Sequence, residues 1–177
     1  GLHLDGLIDT ADGMAAGKDK CLQAMKDSRV GASGVQAFIL ILLIQIASLL
    51  KLGDSAPLAI PISTFWARVS PLWAIGNFPY LQNEGSAKFH KINWEGFSRE
   101  LKPSCFFLIF ISLIIFFSLD SNETFLKFIG INLIGIFSSF IISFIIGKRL
   151  EGHTGDSYGA CVVSVETLMF LILSIII

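Results

Sequence analysis

VQAFILILLIQIASLLKL, residues 35–52, decides what kind of protein this is. Its polar residues are too few and too scattered to make a water-facing stripe. About 20 apolar residues in a helix cross the hydrocarbon core of a bilayer, and this block is close to that length. Similar blocks follow at about 56–78 (APLAIPISTFWARVSPLWAIGNF), 104–119 (SCFFLIFISLIIFFSL), 125–147 and 160–177. The expected fold is an all-α, polytopic membrane bundle with about five transmembrane helices and one polar helix at its cytoplasmic face. Composition agrees: mean hydropathy is +0.71, and 53% of the 177 residues are hydrophobic against 15% charged. A soluble domain carries about a quarter charged residues, so a water-soluble globular enzyme is excluded. Pro57, Pro61 and Pro71 mark the second span as kinked, since proline frees backbone carbonyls that must find other partners.

The chain starts at Gly1 without an initiator methionine or the basic and apolar regions of a signal peptide. Residues 1–177 are therefore expected to be a single integral membrane catalytic domain lacking N-terminal residues of the full protein. Cys21, Cys105 and Cys161 form no CxxC pair and read as small buried hydrophobes. The NET at 122–124 is read as a chance match to a glycosylation acceptor.

Loop charges set the orientation. Lys18, Lys20, Lys26, Arg29, Lys88, Lys91, Arg99, Lys102, Lys148 and Arg149 fall on one side of the membrane, and only Lys51 and Lys127 on the other. The positive-inside rule makes the richer side cytoplasmic. The N-terminal stretch, loop 79–103 and the glycine-rich stretch 152–160 share that side. A plasma (inner) membrane, multi-pass protein with its chemistry facing the cytoplasm is expected.

LHLDGLIDTADG, residues 2–13, holds the most unusual chemistry. On a helix turning about 100° per residue, Asp5, Asp9 and Asp12 fall within an arc of roughly 60°. Like charges at that spacing repel, and interior glycines cost about 1 kcal/mol each against alanine. A divalent cation is the natural counter-charge, and magnesium binds one or two carboxylates together with substrate phosphates. Gly6 and Gly13 would leave bare backbone for a phosphate ester. A solvated polar helix face is the plainer alternative. EGHTGDSYGA, residues 151–160, adds a fourth carboxylate, Asp156, on the same side. Thr154, Asp156 and Ser157 can cap the helix that follows, and its free N–H groups, with Gly155, suit an anion. Arg68 and Glu166 lie inside spans, where they either pair with each other or serve substrate. His3 points away from the aspartate arc and is not read as a ligand. Loop 79–103 is a membrane-surface segment or a substrate lid.

GLHLDGLIDTADGM, MKDSRVGASG at 25–34, ARVSPLWAIGNFPYLQNEGSAK at 67–88 and GHTGDSYGA together resemble the signatures of cobalamin 5′-phosphate synthases. The resemblance runs from Gly1 to about Glu166. It implies a membrane enzyme, longer at its N-terminus, that condenses adenosylcobinamide-GDP with α-ribazole or its 5′-phosphate and releases GMP. Its partners would be these small molecules and the lipid bilayer, not nucleic acid. Mg²⁺ would be held by Asp5, Asp9 and Asp156, with Asp12 as general base and Asp9 counted with it as catalytic. Substrate would be bound by Arg29, Arg68, Gly6, Gly13, Thr154, Gly155 and Glu166. One departure stands out: the family tends to have Gly-Gly where this chain has Glu151-Gly152. Two rivals remain open. A CDP-alcohol type phosphotransferase would show Asp-Gly-x-x-Ala-Arg, which residues 5–10 do not. A cation transporter would carry charge at mid-membrane in several spans.

Overall fold

A computed structural model describes residues 1–82, 86–118 and 122–176. Glu84 and Gly85 of the middle segment, the side chains of 122–124 and the final residue of the last span lie outside that description. The described residues form α1 (Leu2–Ala15), α2 (Cys21–Ala24), α3 (Ala32–Leu52), α4 (Ala56–Asn77), α5 (Ser86–Ile92), α6 (Phe97–Glu100), α7 (Lys102–Ser118), α8 (Asn122–Leu150) and α9 (Gly155–Ile176). Among them no strand occurs, as the apolar blocks require.

Three stretches are long and apolar enough to cross a bilayer: Ala32–Asn77, Phe125–Leu150 and Gly155–Ile176. The first is two helices. A short 3₁₀ turn at Gly53–Ser55 separates them, and Gly53 adopts the left-handed φ of 50° that favours glycine. The chain reverses there. Gly34 at the start of α3 packs on α1, Leu52 at its end joins Ala59 and Leu173 in one apolar cluster, and Ala74 returns to Tyr158 near the start of α9. With 21 and 22 residues, α3 and α4 each span a little over 30 Å at about 1.5 Å per residue. The 17-residue α7 is shorter, and its described apolar run is Lys102–Ile111.

The second span is one helix, α4, from Ala56 to Asn77, with Pro61 and Pro71 inside it. Pro57 sits in the first turn, where no backbone donor is needed. Pro71 leaves the carbonyl of Ala67 without its usual N–H, and the Ser70 hydroxyl donates to that oxygen instead, at 2.6 Å. Sequence neighbours thus repair the ladder.

The centre of the bundle is α9, with thirteen buried residues. All three apolar clusters contain side chains from it: Val162, Val165, Met169 and Leu173 in one, Ala160 and Val163 with Leu7 in another, Tyr158 with Ala74 and Ile75 in the third. By contrast, α3 buries only Gly34, Ser48 and Leu52 and turns Leu40, Leu43 and Leu50 outward, as a lipid-facing helix does.

The first helix adds what the charge pattern could not give. Gly6 meets the backbone of Asp156, His3 meets Gly159, and Gly1 and Leu2 reach the level of Val162 and Glu166. So α1 runs antiparallel along the first three turns of α9. Its acidic C-terminal half lies beside the helix start, and its N-terminus points into the bundle.

Candidate active site at the contact of α1 and α9

The antiparallel packing brings four carboxylates together. Asp5 is exposed, while Asp9, Asp12 and Asp156 are half-buried. The Asp9 carboxyl is pushed up to about 6, first by burial and then by the charges of Asp5, Asp156 and Asp12. The ion pairs Lys18–Glu151, Arg29–Asp27 and Arg99–Glu95 lie outside this cluster. Among the described residues, no three His, Cys, Asp or Glu side chains form a ready-made metal cage. Magnesium does not need one, since substrate phosphates and water complete its shell around one or two carboxylates. The donor set fits in kind: hard oxygens, excess negative charge and partial exposure.

Asp12, expected as a general base, is engaged differently. Its two oxygens accept the backbone N–H groups of Gly31 and Gly34, each at 2.7 Å. Gly31 is the N-cap of α3, so a carboxylate from α1 caps α3 across nineteen residues of sequence. A Cβ at Gly34 would sit 2.6 Å from Asp12 Oδ2, which explains why the segment reads GASG. Nothing local to LIDTADG reveals this task; the glycines of 31–34 were its only trace in the sequence.

Gly6 and Gly13 do not make room for substrate. Both are buried, and a Cβ at Gly6 would lie 2.5 Å from the Asp156 carbonyl oxygen. Gly13 is closed by Met25 and Cys21, whose carbonyl oxygen would lie 3.0 Å from an added Cβ. They are contact points between helices, which corrects the reading of them as substrate-facing backbone.

The turn before α9 is built around His153, which the sequence left without a task. The ring is fully buried, with Nε2 3.1 Å from the Ser143 carbonyl and Nδ1 2.9 Å from the Ser157 hydroxyl. A carbonyl can only accept, so Nε2 carries the proton and Nδ1 accepts from Ser157. Burial lowers this histidine to about 4, so it is neutral. Thr154 and Ser157 cap α9 reciprocally: Thr154 N–H donates to Ser157 Oγ at 2.8 Å and Ser157 N–H to Thr154 Oγ1 at 3.1 Å. Thr154 is fully buried by this, so its expected contact with substrate is replaced by capping.

Across the turn, Leu81 N–H donates to the His153 carbonyl and His153 N–H to that of Pro79. This pairing carries Tyr80 and Gln82 to Gly155 and Asp156. Tyr80 hydroxyl donates to Gln82 Oε1 at 3.3 Å, and Gln82 hydrogen-bonds Asp156. Gly155 is half-buried beside Tyr80 and Ala87. Loop 79–103 thus touches the site, tied down where Lys91 donates to the carbonyls of Ile75 and Phe78 at the end of α4. Glu151, where the family resemblance places glycine, has φ of 62°, the left-handed region that glycine adopts without strain.

The remaining candidates separate. Arg29 is exposed and folded onto Asp27, with Nη2 2.7 Å from its carboxylate. Arg68 and Glu166 instead line one cleft of about 590 Å³ with His3, Gln45 and Thr64, at the N-terminal end of α1. They form no ion pair with each other: Glu166 accepts from the Thr64 hydroxyl at 2.6 Å, and Gln45 is held by Thr167 at 2.8 Å. The pairing considered for Arg68 and Glu166 is therefore not made.

Comparison with known proteins matches residues 1–174 to the cobalamin-5-phosphate synthase family. A protein from a Prochlorococcus marinus strain (CCMP1375), named adenosylcobinamide-GDP ribazoletransferase, is 53% identical over 99% of this chain and 68% of its own length. Proteins of the same name from P. marinus strain MIT 9313 and from Thermosynechococcus vestitus are 49% and 36% identical, over 99% and 97% of this chain and 68% and 65% of their own lengths. No solved structure matches. A match spread over nearly every residue takes in the α1 acids, the GASG cap and the HTGD turn alike: the chain belongs to the cobalamin-5-phosphate synthase family.

Proposed function

We propose that this chain joins adenosylcobinamide-GDP to α-ribazole, or to α-ribazole 5′-phosphate, and releases GMP, the last joining step of cobalamin (vitamin B12) biosynthesis. The observation that carries this reading is family membership across residues 1–174, with relatives named for that transfer at up to 53% identity. In the reaction the ribazole hydroxyl oxygen bonds to the corrinoid-bearing phosphorus, and the bond from that phosphorus to GMP breaks. Asp5, Asp9 and Asp156 are the residues assigned to Mg²⁺. Asp9 is raised by burial and then by the charges of Asp5, Asp156 and Asp12, and no basic partner reaches it in the ion pairs described, which supports this. Bound there, the ion would neutralise the diphosphate and the charge growing on departing GMP. Asp9, at the centre of the four acids, receives the hydroxyl proton. Asp12 is reassigned as a positioning residue that fixes α1 on α3, and Gln82 with Tyr80 orients Asp156. Arg68 and Glu166 face substrate from the cleft, and Arg29 reaches phosphate once it leaves Asp27.

The site faces the cytoplasm of a plasma (inner) membrane. The three loops rich in Lys and Arg gather at the aspartate end, joined by Lys18–Glu151 and the pairing of His153 with Pro79 and Leu81. The test is GMP release and corrinoid product formation in membranes given GDP-cobinamide, α-ribazole and Mg²⁺. Single Asp5→Asn, Asp9→Asn and Asp156→Asn changes are expected to cut turnover by about 100-fold or more, on the scale of lost electrostatic stabilisation. Near-normal turnover in all three would remove the metal assignment, and absence of GMP release in the unaltered protein would remove the function.

A further inference from the structure

The cleft at the inner end of α1 is unlike the rest of the bundle interior. Three helices each bring polar groups to one depth: Gln45 from α3, Thr64 and Arg68 from α4, Glu166 from α9. Charge inside a membrane is costly unless paired or used. Arg68 is more than a third exposed within the cleft, and neither its hydrogen bonds nor its ion pairs among the described residues engage Glu166. Glu166 is kept oriented by Thr64 rather than neutralised. His3 lines the same cleft from α1. The cleft therefore offers a fork for an anion and a carboxylate for hydroxyl donors, side by side, against an apolar wall at Val162 and Val163.

That combination selects among ligands. The aspartate cluster is already the place proposed for the diphosphate. A corrinoid conjugate is far larger than about 590 Å³. A phosphorylated nucleoside fits on each count, with one phosphate, sugar hydroxyls and a flat apolar base. Resting on the functional reading above, we propose that this cleft is the subsite for the acceptor nucleoside. Arg68 takes its 5′-phosphate and Glu166 its sugar hydroxyl, so that Arg68 sets the preference for phosphorylated over unphosphorylated ribazole. The acceptor then lies along α1 with its attacking hydroxyl toward Asp5 and Asp9, one to two turns away.

The test compares kcat/KM for α-ribazole 5′-phosphate and for α-ribazole in membranes carrying the full protein, with KM for GDP-cobinamide read in parallel. Arg68→Met is expected to lower the ratio of the two kcat/KM values by about 10- to 100-fold, the worth of one charge-assisted contact. Arg68→Lys should restore part of the ratio, and Val163→Phe should raise KM for both acceptors by narrowing the cleft. A ratio unchanged in Arg68→Met, or a rise in KM for GDP-cobinamide in place of the acceptor effect, overturns the assignment. If Arg68→Met does not accumulate in membranes, Arg68→Lys and Val163→Phe decide it on the same criteria. Loss of preference with GMP release still measurable speaks only to the subsite, whereas an unaltered protein that releases no GMP speaks against the function itself.

Discussion

Two residues of the turn before α9 carry opposite lessons about strain and burial. Glu151 holds a backbone conformation that favours glycine, and its pairing with Lys18 is exposed to solvent and contributes little. Glu151→Gly and Glu151→Ala both delete that pair, but only glycine relieves φ. The glycine variant should be the more stable by about 1 kcal/mol, the reverse of the order in a helix interior, as read by thermal unfolding in detergent. His153 is neutral in the fold and titrates near 6.5 once unfolded. The unfolded chain therefore gains a proton first as pH falls. The stability from burying this ring is complete above about pH 6.5 and is lost as pH drops toward 4, by on the order of 3 kcal/mol. His153→Gln should flatten that part of the stability–pH curve; an unchanged slope would show that the acid sensitivity lies elsewhere. Neither feature could be read from EGHTGD. The family resemblance marked position 151 as a departure, but only the backbone angle says what it means. A lone histidine without metal spacing gives no hint that it latches α8 to α9.

The helices were largely legible, and their partners were not. Twenty-residue apolar runs are a length signal, so the blocks at 35–52 and 160–177 locate α3 and α9 well. The helical wheel put Asp5, Asp9 and Asp12 on one arc, and Asp9 does feel the other two. A wheel shows which side chains share a face but not what the face meets. It therefore missed that Asp12 caps α3 and that Gly6 lies on Asp156. In the same way, Pro71 signalled a freed carbonyl but not that Ser70 supplies the donor to it. This makes a two-site test natural. Ser70→Ala alone should cost about 1 kcal/mol, since it leaves the Ala67 carbonyl unpartnered. In a Pro71→Ala background, residue 71 regains an N–H that can reach Ala67, and the same change should cost little. A coupling near 1 kcal/mol is expected, and additive costs would show that Ser70 is not the substitute donor.

On the scale of the molecule, the sequence pointed to acids and loops sharing one face and left the depth that α1 reaches unread. Composition gives spans and an expected sidedness, yet the antiparallel run of α1 along α9 rests on glycine contacts between residues about 150 apart. The same arrangement bears on biogenesis. Every apolar cluster includes side chains of α9, and α9 follows all other described elements. During synthesis α1 can meet α3 through Asp12 and α4 can meet α8 through Ser143, but the apolar clusters stay open and the acidic group lacks Asp156 until α9 arrives. A chain halted after His153 should insert its spans and yet show no protease-resistant core; a resistant fragment at that length would show that the earlier helices dock unaided. Insertion and folding are thus separated in time, and the site comes into being in one late step, when the helix bearing Asp156 threads between partners already in the bilayer.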